Sequence, residues 1–357
     1  MRVLILNWKD LAHPAAGGAE VFTEQVAREL VLRGHEVTLF AASVAGRPAR
    51  ETVEGVEIVR SGGRLGVYRD ARRFWRSQPA DRFDVIVDEI NTRPFLAPRW
   101  VRGTPVVALA HQLAREIWSY ETPFPVSVIG RHVLEPWWLR AYRDVPAMTV
   151  SASSAESFER HHGWRDVTVL PEGHMPYPVP DVPKENEPTV VFLGRLVAMK
   201  RPQQAVDAFR VLRQTRPDAV MWVIGDGPEL SRLRQSSPPT VSFLGRLPRQ
   251  ELLTRLAAAH VLVATSVREG WGLNVSEAAT CGTPTVGYRV PGLVDSVPAS
   301  GGALVEPRPE ALGQALVDFF SGRLSLEPRV STRPWPEVAT AVELRLQQVV
   351  DRAGAPN

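Results

Sequence analysis

The chain opens with a continuous apolar run, RVLILNW, then a polar loop, KDLAHPAAGGAE, and then AEVFTEQVARELVLRG, whose apolar positions recur at helical spacing. An unbroken apolar run reads as a strand buried on both faces, and a 3.6-residue period reads as an amphipathic helix. Gly34 stands where such a helix ends, and HEVTLFAA is the next strand. Strand, loop, helix, strand is a βαβ unit. VEIVRS, FDVIVDEI and TPVVALAHQ continue the strands, with helices such as VYRDARRFWRS between them. The pattern predicts an α/β fold with a mostly parallel sheet covered on both faces, and ligands of such sheets bind beyond the carboxyl ends of the strands. VSVIGRHVLEPWWLRAYRDVP reads as a helix with Trp137 and Trp138 among arginines. A helix of that kind either buries one tryptophan and exposes its arginines, or lies on an acceptor or a membrane surface.

The pattern changes at residues 171–188, PEGHMPYPVPDVPKENEP, which carry six prolines and little periodicity. Proline stiffens such a segment, which suits a linker between two rigid lobes. Beyond it the alternation resumes with TVVFLGRLVAMKRPQQAVDAFRVLRQ, AVMWVIGDGPELSRLRQ, TVSFLGRLPRQELLTRLAAAH and HVLVATSV. The organisation expected is a first domain over 1–170, the linker over 171–188, a second α/β domain over 189–334 and a terminal amphipathic helix over 335–357. The similarity of FLGRL at 192–196 and 243–247 reflects two alike strand ends, not a solenoid repeat.

Composition narrows the class. A chain of 357 residues suits two cores better than one. With 44% apolar and 23% charged residues it reads as a globular protein, and no apolar run reaches the length of a membrane span. The N-terminus runs directly into a strand, with no signal-peptide pattern. The expected location is therefore the cytoplasm, with room for peripheral contact at the inner membrane face. A net charge of +3 argues against nucleic acid as main partner but allows local basic patches. The lone Cys281 reads as a packed thiol. His161 and His162 lack companion ligands, and no Asp-x-Asp occurs, so no metal site is expected.

Candidate chemistry concentrates in REGWGLNVSEAATCGTPTVG, residues 268–287. Glu269 lies in a loop, Gly270 and Gly272 follow, and a short small-residue helix then carries Glu277. Free amides at the start of that helix, near Gly272, Leu273 and Asn274, favour an anionic diphosphate. A carboxylate one turn along suits a ribose diol, and one just before the helix suits a hydroxyl of a transferred sugar. Gly194 and Arg195 end a buried strand, and Lys200 precedes a helix near Pro202. Two cations there can hold a diphosphate and stabilise the charge that develops as it leaves. Lys9, Lys184 and Lys200 are the only lysines in the chain. In the first half, Gly17 and Gly18 lie immediately before a helix, where backbone can approach a phosphate or sugar. His111 follows VVALA at a strand end; Asp88, Glu89 and Asn91 close the preceding strand and are candidates for acceptor contacts.

The run from Glu269 to Glu277 with EGWGLN between them, then EAATCGTPTVGY and VPGLVDSV, resembles the donor-site signature of retaining nucleotide-sugar glycosyltransferases of glycosyltransferase family four. The resemblance covers nearly the whole chain. It implies the GT-B fold, two Rossmann-like domains with mostly parallel sheets facing across a cleft, and a final helix that crosses back to the first domain. It further implies transfer of a hexose-like sugar with retention, from a nucleoside-diphosphate sugar to a small-molecule, glycan or lipid-linked acceptor hydroxyl, with no cofactor beyond the donor. It places Gly17 and Gly18 beside the donor phosphate and acceptor, His111 near the transferred sugar, Arg195 and Lys200 on the diphosphate, and Arg246 near the base. Trp8, His13 and Arg115 are available to the acceptor. The family often has Asn-Gly where this chain has Glu172-Gly173, which leaves a role for Glu172 open. Rival readings are another GT-B enzyme, an epimerase or a phosphorylase, and a catalytically silent nucleotide-sugar-binding partner. A phosphorylase would need a pyridoxal-phosphate lysine, and Lys200 is already assigned to phosphate.

Overall fold

The N-terminal apolar run is strand β1 (Arg2–Leu6) in the computed structural model, which describes residues 1–173, 178–330 and 333–354. It lies in the middle of an eight-stranded sheet with β2 (Glu36–Ala41), β3 (Arg50–Val53), β4 (Val56–Arg60), β5 (Val85–Glu89), β6 (Val106–Leu109), β7 (Ala147–Thr149) and β8 (Val167–Val169). The order is β3-β4-β2-β1-β5-β6-β7-β8. Every pairing is parallel except β3 with β4. The central strands are buried along nearly their whole length, which is why they read as unbroken apolar runs. Residues 186–188 precede β9 (Thr189–Leu193), which begins a second sheet with β10 (Val220–Ile224), β11 (Val241–Gly245), β12 (Val261–Ala264), β13 (Thr285–Tyr288) and β14 (Ala303–Val305). Its order is β11-β10-β9-β12-β13-β14, all parallel. These are the mostly parallel α/β sheets that the apolar pattern predicts.

Contacts group the chain into two units. Unit 1 comprises Met1–Arg115, Val128–Met175 and Arg333–Asn357; unit 2 comprises Glu116–Ser127 and Pro176–Thr332. The final helix (Trp335–Gly354) packs on the first helix (Gly18–Leu32) within unit 1. Arg345 anchors it further by an ion pair of 2.5 Å to Asp166. Trp335 explains Gly173, because a Cβ at that position would come within 2.6 Å of the indole ring. The segment Glu116–Ser127, which the sequence assigns to the first domain, belongs by its contacts to unit 2. The linker residues 174–177, residues 331–332 and the last three residues, 355–357, lie outside the described residues. Elsewhere in 171–188 the described residues form no helix or strand.

Each unit has its own core. In unit 1 the faces of the sheet bury Leu4, Leu6, Phe40 and Ile86 among one set of side chains, and Ala108, Leu139, Tyr142, Phe158 and Trp164 among another. In unit 2 a single large cluster centres on Val190, Phe209, Met221, Leu262, Val286 and Tyr288. Two short edge strands were not legible in the sequence. β3 is mostly polar and exposed, and β8 has three residues.

Candidate functional site

In unit 2 the site builds from the carboxyl ends of β9 and β12, which are parallel neighbours. Their loops therefore emerge side by side. After β9 the chain passes Gly194 and Arg195 and makes a single 3-10 turn, Ala198–Lys200, ahead of the helix Pro202–Thr215. After β12, Thr265 Oγ1 donates to the carbonyls of Lys200 (2.8 Å) and Arg201 (3.1 Å), and the Val267 amide donates to the Met199 carbonyl at 2.8 Å. Those bonds bring Lys200 Nζ onto Glu269 Oε1 in a close ion pair. Ser266 Oγ donates to the same oxygen at 2.5 Å. Glu269 is buried, so its charge relies on these two partners.

Gly292 fixes the far side of Glu269. Its φ is +83°, and a Cβ there would fall 2.2 Å from the Glu269 carbonyl oxygen. The two backbones can therefore approach only because residue 292 lacks a side chain. The helix that follows, Leu273–Thr280, is capped by Gly272. Asn274 Nδ2 donates to the Leu193 carbonyl at 2.9 Å, which ties the start of this helix to the end of β9. Glu277 accepts from Arg249 Nη1 at 2.6 Å. Arg195 and Arg246 are exposed at the ends of β9 and β11. Thus Gly194, Arg195, Lys200, Glu269, Gly272, Leu273, Asn274 and Glu277 all lie on loops and helix starts after β9 and β12, and the structure pairs Lys200 with Glu269 directly.

Sequence reasoning missed several partners here. Arg249 begins the helix Arg249–Ala258 and meets Glu277. The helix Ile117–Glu121 packs on the turn that carries Lys200. Arg201 Nη2 donates to Tyr120 Oη at 2.8 Å, and its guanidinium lies 5.3 Å from the centre of that ring. Glu116 pairs with the buried Arg268 at 3.3 Å. No local pattern announces a contact between residues so distant in sequence.

Unit 1 gathers a second polar group at the ends of β1, β5 and β6. The Gly17 amide donates to Glu20 Oε2 at 2.6 Å, so at Gly17 the helix start is served by its own side chain, and Gly18 is the first helical residue. Glu20 Oε1 pairs with Lys9 Nζ at 3.1 Å. Asn91 Nδ2 donates to Asn7 Oδ1 (3.0 Å), Glu20 Oε1 (3.3 Å) and Glu89 Oε1 (3.4 Å), and Thr23 Oγ1 donates to Glu89 Oε2 at 2.6 Å. His111 stands beside this group, its Nε2 3.7 Å from Glu89 Oε1 and its Nδ1 4.0 Å from Glu172 Oε1. Both distances exceed a hydrogen bond, so neither ring nitrogen is satisfied. Burial, then Lys9, lowers His111 to about 4, and burial, then Glu20, raises Glu89 to about 8. At neutral pH the imidazole is uncharged and the carboxyl protonated.

Asp88 has a different part from the acceptor contact considered for it. It accepts from the Phe95 (3.1 Å) and Ala97 (2.8 Å) amides and from Tyr142 Oη (2.5 Å), which holds a turn inside unit 1. Glu20 could have been found from its place three residues after Gly17, the spacing of a capping box. Lys9 could have been found from the scarcity of lysine. Among the described residues no cluster of three His, Cys, Asp or Glu side chains could hold a metal ion.

Two α/β units of mostly parallel strands, one carrying cations and carboxylates on the loops after adjacent strands, define a GT-B protein. The description "Glycosyltransferase Family 4" matches residues 16–174, and "Glycosyl transferases group 1" matches residues 179–331. The chain belongs to glycosyltransferase family 4. It is 34% identical over 134 residues to a GDP-mannose-dependent alpha-(1-6)-phosphatidylinositol dimannoside mannosyltransferase of Mycobacterium tuberculosis, a match spanning 37% of this chain and 35% of that relative. It is 28% identical over 326 residues to a D-inositol 3-phosphate glycosyltransferase of Pseudarthrobacter chlorophenolicus, covering 78% of this chain and 75% of the relative. Among solved structures, a sucrose-phosphate synthase from Thermosynechococcus elongatus superposes with a TM-score of 0.73 at 18% identity, over 99% of this chain and 97% of that one.

Proposed function

We propose that the protein transfers a hexose-like sugar from a nucleoside-diphosphate sugar to an acceptor hydroxyl, with retention at the anomeric carbon and without a metal or other cofactor. The observation that carries this reading is the juxtaposition of Lys200 with Glu269 at the ends of neighbouring strands, with Arg195 and the start of the helix Leu273–Thr280 on the same sheet edge. Arg195 and Lys200 supply the positive charge that a departing diphosphate needs, and the amides at the helix start add theirs. Glu277 receives the ribose diol, with Arg249 orienting it. Glu269 takes a hydroxyl of the transferred sugar. His111 is neutral, so of its two unsatisfied nitrogens one can accept a hydrogen bond from a sugar hydroxyl and the other can donate one.

The acceptor is a small molecule, a glycan or a lipid-linked glycan, reached in the cytoplasm or at the inner face of a membrane. The donor and acceptor named for the mycobacterial relative make GDP-mannose and an inositol-based acceptor the first pair to try. The test begins with a thermal-shift comparison of UDP-, GDP-, ADP- and dTDP-sugars in metal-free buffer, since a ligand of the native state raises the melting temperature. One base should give a shift that Arg195→Ala abolishes. Turnover with that donor should then collapse in Lys200→Ala and Glu277→Ala. Unchanged turnover in both variants would refute the site, and a shift without turnover against any acceptor would identify a silent binder. The one-bond carbon–proton coupling at the anomeric centre of the product reports retention.

A further inference from the structure

We infer that Trp335, the first residue of the final helix, is a positioning residue for His111: acting through Phe22, it holds the imidazole in one orientation while both ring nitrogens stay open to a ligand. This brings the start of the final helix into the site of unit 1, and it rests on the proposed reaction for the part given to His111. All the residues concerned lie in unit 1. A buried histidine is ordinarily oriented by a hydrogen bond from one of its ring nitrogens. His111 is buried at the end of β6, yet neither nitrogen has a hydrogen-bond partner among the described residues. Glu89 Oε1 stands 3.7 Å from Nε2, and Glu172 Oε1 stands 4.0 Å from Nδ1. The backbone is tied down, because Ser154 Oγ donates to the His111 carbonyl at 2.9 Å. The orientation of the ring is left to packing.

A chain of rings provides that packing. The Phe22 ring meets the imidazole nearly at right angles, with centres 5.2 Å apart and planes at 84°. Phe22 is buried on the helix Gly18–Leu32, and the next residue of that helix, Thr23, holds Glu89 beside Nε2. Trp335 meets Phe22 in turn, with centres 5.7 Å apart and planes at 74°. The indole then lies on Gly173, where a Cβ would come within 2.6 Å of Cδ2 and 2.9 Å of Cε3. Residue 173 therefore admits the indole only because it has no side chain. Edge-to-face contacts favour one ring orientation over others. In a close-packed interior such a ring cannot turn without displacing its neighbours.

An ordinary core accounts less well for these contacts. Two unpaired nitrogens in a buried imidazole cost stability. Trp335 Nε1 is buried as well and has no hydrogen-bond partner among the described residues. A phenylalanine at 335 would bury a ring without leaving an N–H unpaired. Stability alone thus favours an apolar plug at 335 and a bonded histidine at 111, and the protein has neither. What it has instead is a rigid imidazole whose nitrogens are not spent on the protein. A group held in place before its ligand arrives gives up little freedom on binding, and that is the use of a supporting layer behind a reactive side chain.

The test is nuclear magnetic resonance of the full chain with isotope-labelled histidine, His111→Gln serving to assign the His111 ring among the eight histidines. The wild-type ring should give one sharp set of signals and stay uncharged down to about pH 5. Trp335→Leu should broaden or split those signals and raise the pH at which the ring takes up a proton by about one unit, because the loosened ring is better hydrated. Trp335→Phe should stay near the wild type. Gly173→Ala pushes the indole without removing it and should act in the same sense as Trp335→Leu, by less; it decides alone should Trp335→Leu not fold. Val349→Ala removes a buried contact about four turns along the same helix and should lower the melting temperature while leaving the His111 signals in place. Wild-type His111 signals in folded Trp335→Leu and Gly173→Ala, or an equal change in Val349→Ala, would overturn the inference. With the donor found in the nucleotide-sugar screen, Trp335→Leu should also lower kcat by about tenfold or more and leave KM for the donor near the wild type. The spectrum needs no substrate. A changed spectrum with unchanged turnover would therefore uphold the positioning and refute the part given to His111 in transfer, so the two readings fail separately.

Discussion

Glu89 gives the protein a pH dependence that a single substitution should remove. Its carboxyl is fully buried at the end of β5, with Thr23 Oγ1 2.6 Å from one oxygen and Asn91 Nδ2 3.4 Å from the other. Burial, reinforced by the negative Glu20, pushes it from an ordinary 4.5 up to about 8, against the opposing pull of Thr23, Lys9 and Asn91. The folded protein therefore keeps this proton up to about pH 8, whereas the unfolded chain releases it above about pH 4.5. Between the two values unfolding releases a proton, so stability falls as pH rises, by about 1.4 kcal/mol per pH unit. Over the whole window that amounts to roughly 5 kcal/mol, comparable with the lower end of the ~5–15 kcal/mol that holds a typical domain. Glutamine has the same shape and cannot ionise. Its amide can still accept from Thr23 or Asn91. Glu89→Gln should match the wild type near pH 5 and become the more stable protein by several kcal/mol near pH 8. Urea unfolding at a series of pH values, followed by far-ultraviolet circular dichroism, measures both curves. His111 works with the opposite sign and at lower pH. Its folded value near 4 lies below the unfolded 6.5, so its contribution is lost as pH falls from about 6.5 towards 4 and leaves the alkaline comparison clean. Parallel curves for wild type and Glu89→Gln between about pH 5 and pH 8 would refute the reasoning, because they would mean that Glu89 ionises as freely folded as unfolded.

Other outcomes follow from the same geometry. Lys200→Met should lower turnover by about 10²–10³, the loss seen when one charge-stabilising group is removed from a reacting centre, and kcat measured at saturating donor checks it. If the loss appears wholly in KM, Lys200 contributes uniform binding and not stabilisation of the leaving diphosphate. Gly292→Ala should destabilise the protein by about 2 kcal/mol or more, through the positive φ and the clash with the Glu269 carbonyl, and should depress activity even where the protein remains folded. Transfer activity should be unchanged by EDTA, whereas a loss restored by a divalent cation would replace Arg195 and Lys200 with a metal as the diphosphate's counter-charge. Arg249→Ala should raise KM for the donor by about tenfold, as expected when the partner of a ligand-holding carboxylate is lost.

The elements that the sequence made legible are those whose physics is local. β1, β5 and β9 are buried on both faces and so spell continuous apolar runs, and the helix Gly18–Leu32 keeps a strict period up to the residue before Gly34. Strand β3 hid because an exposed edge strand needs no apolar pattern, and its only outward sign is the Glu54-Gly55 turn, where both residues have positive φ. The approach of Lys200 to Glu269 was partly legible. Each residue stood at the predicted end of a buried strand, but that the two strands are neighbours depends on the order of the sheet. Nothing in the sequence indicated that residues 116–127 leave the first half of the chain to pack on the Lys200 turn. Their contacts with Arg201 and Arg268 join residues about 80 and 150 apart, and long-range ion pairs obey no spacing rule.

The resting arrangement of charge also bears on how a donor would enter. In unit 2 both signature carboxylates are already occupied, Glu269 by Lys200 and Ser266, Glu277 by Arg249. A buried carboxylate without a partner is costly, and a site built to bind hydroxyls and phosphate must still fold when empty. Pairing each carboxylate with a cation meets that requirement. It also makes binding an exchange of partners: a diphosphate can draw Lys200 towards itself while a sugar hydroxyl donates to the oxygen of Glu269 that the ammonium releases. On the proposed reading the exchange would conserve the number of charge-assisted bonds, and Lys200 would gain its strongest partner only as negative charge builds on the departing diphosphate. On the proposed reading, the ion pair that stabilises the empty unit is thus the same device that makes its attraction for the transition state greater than for the ground state.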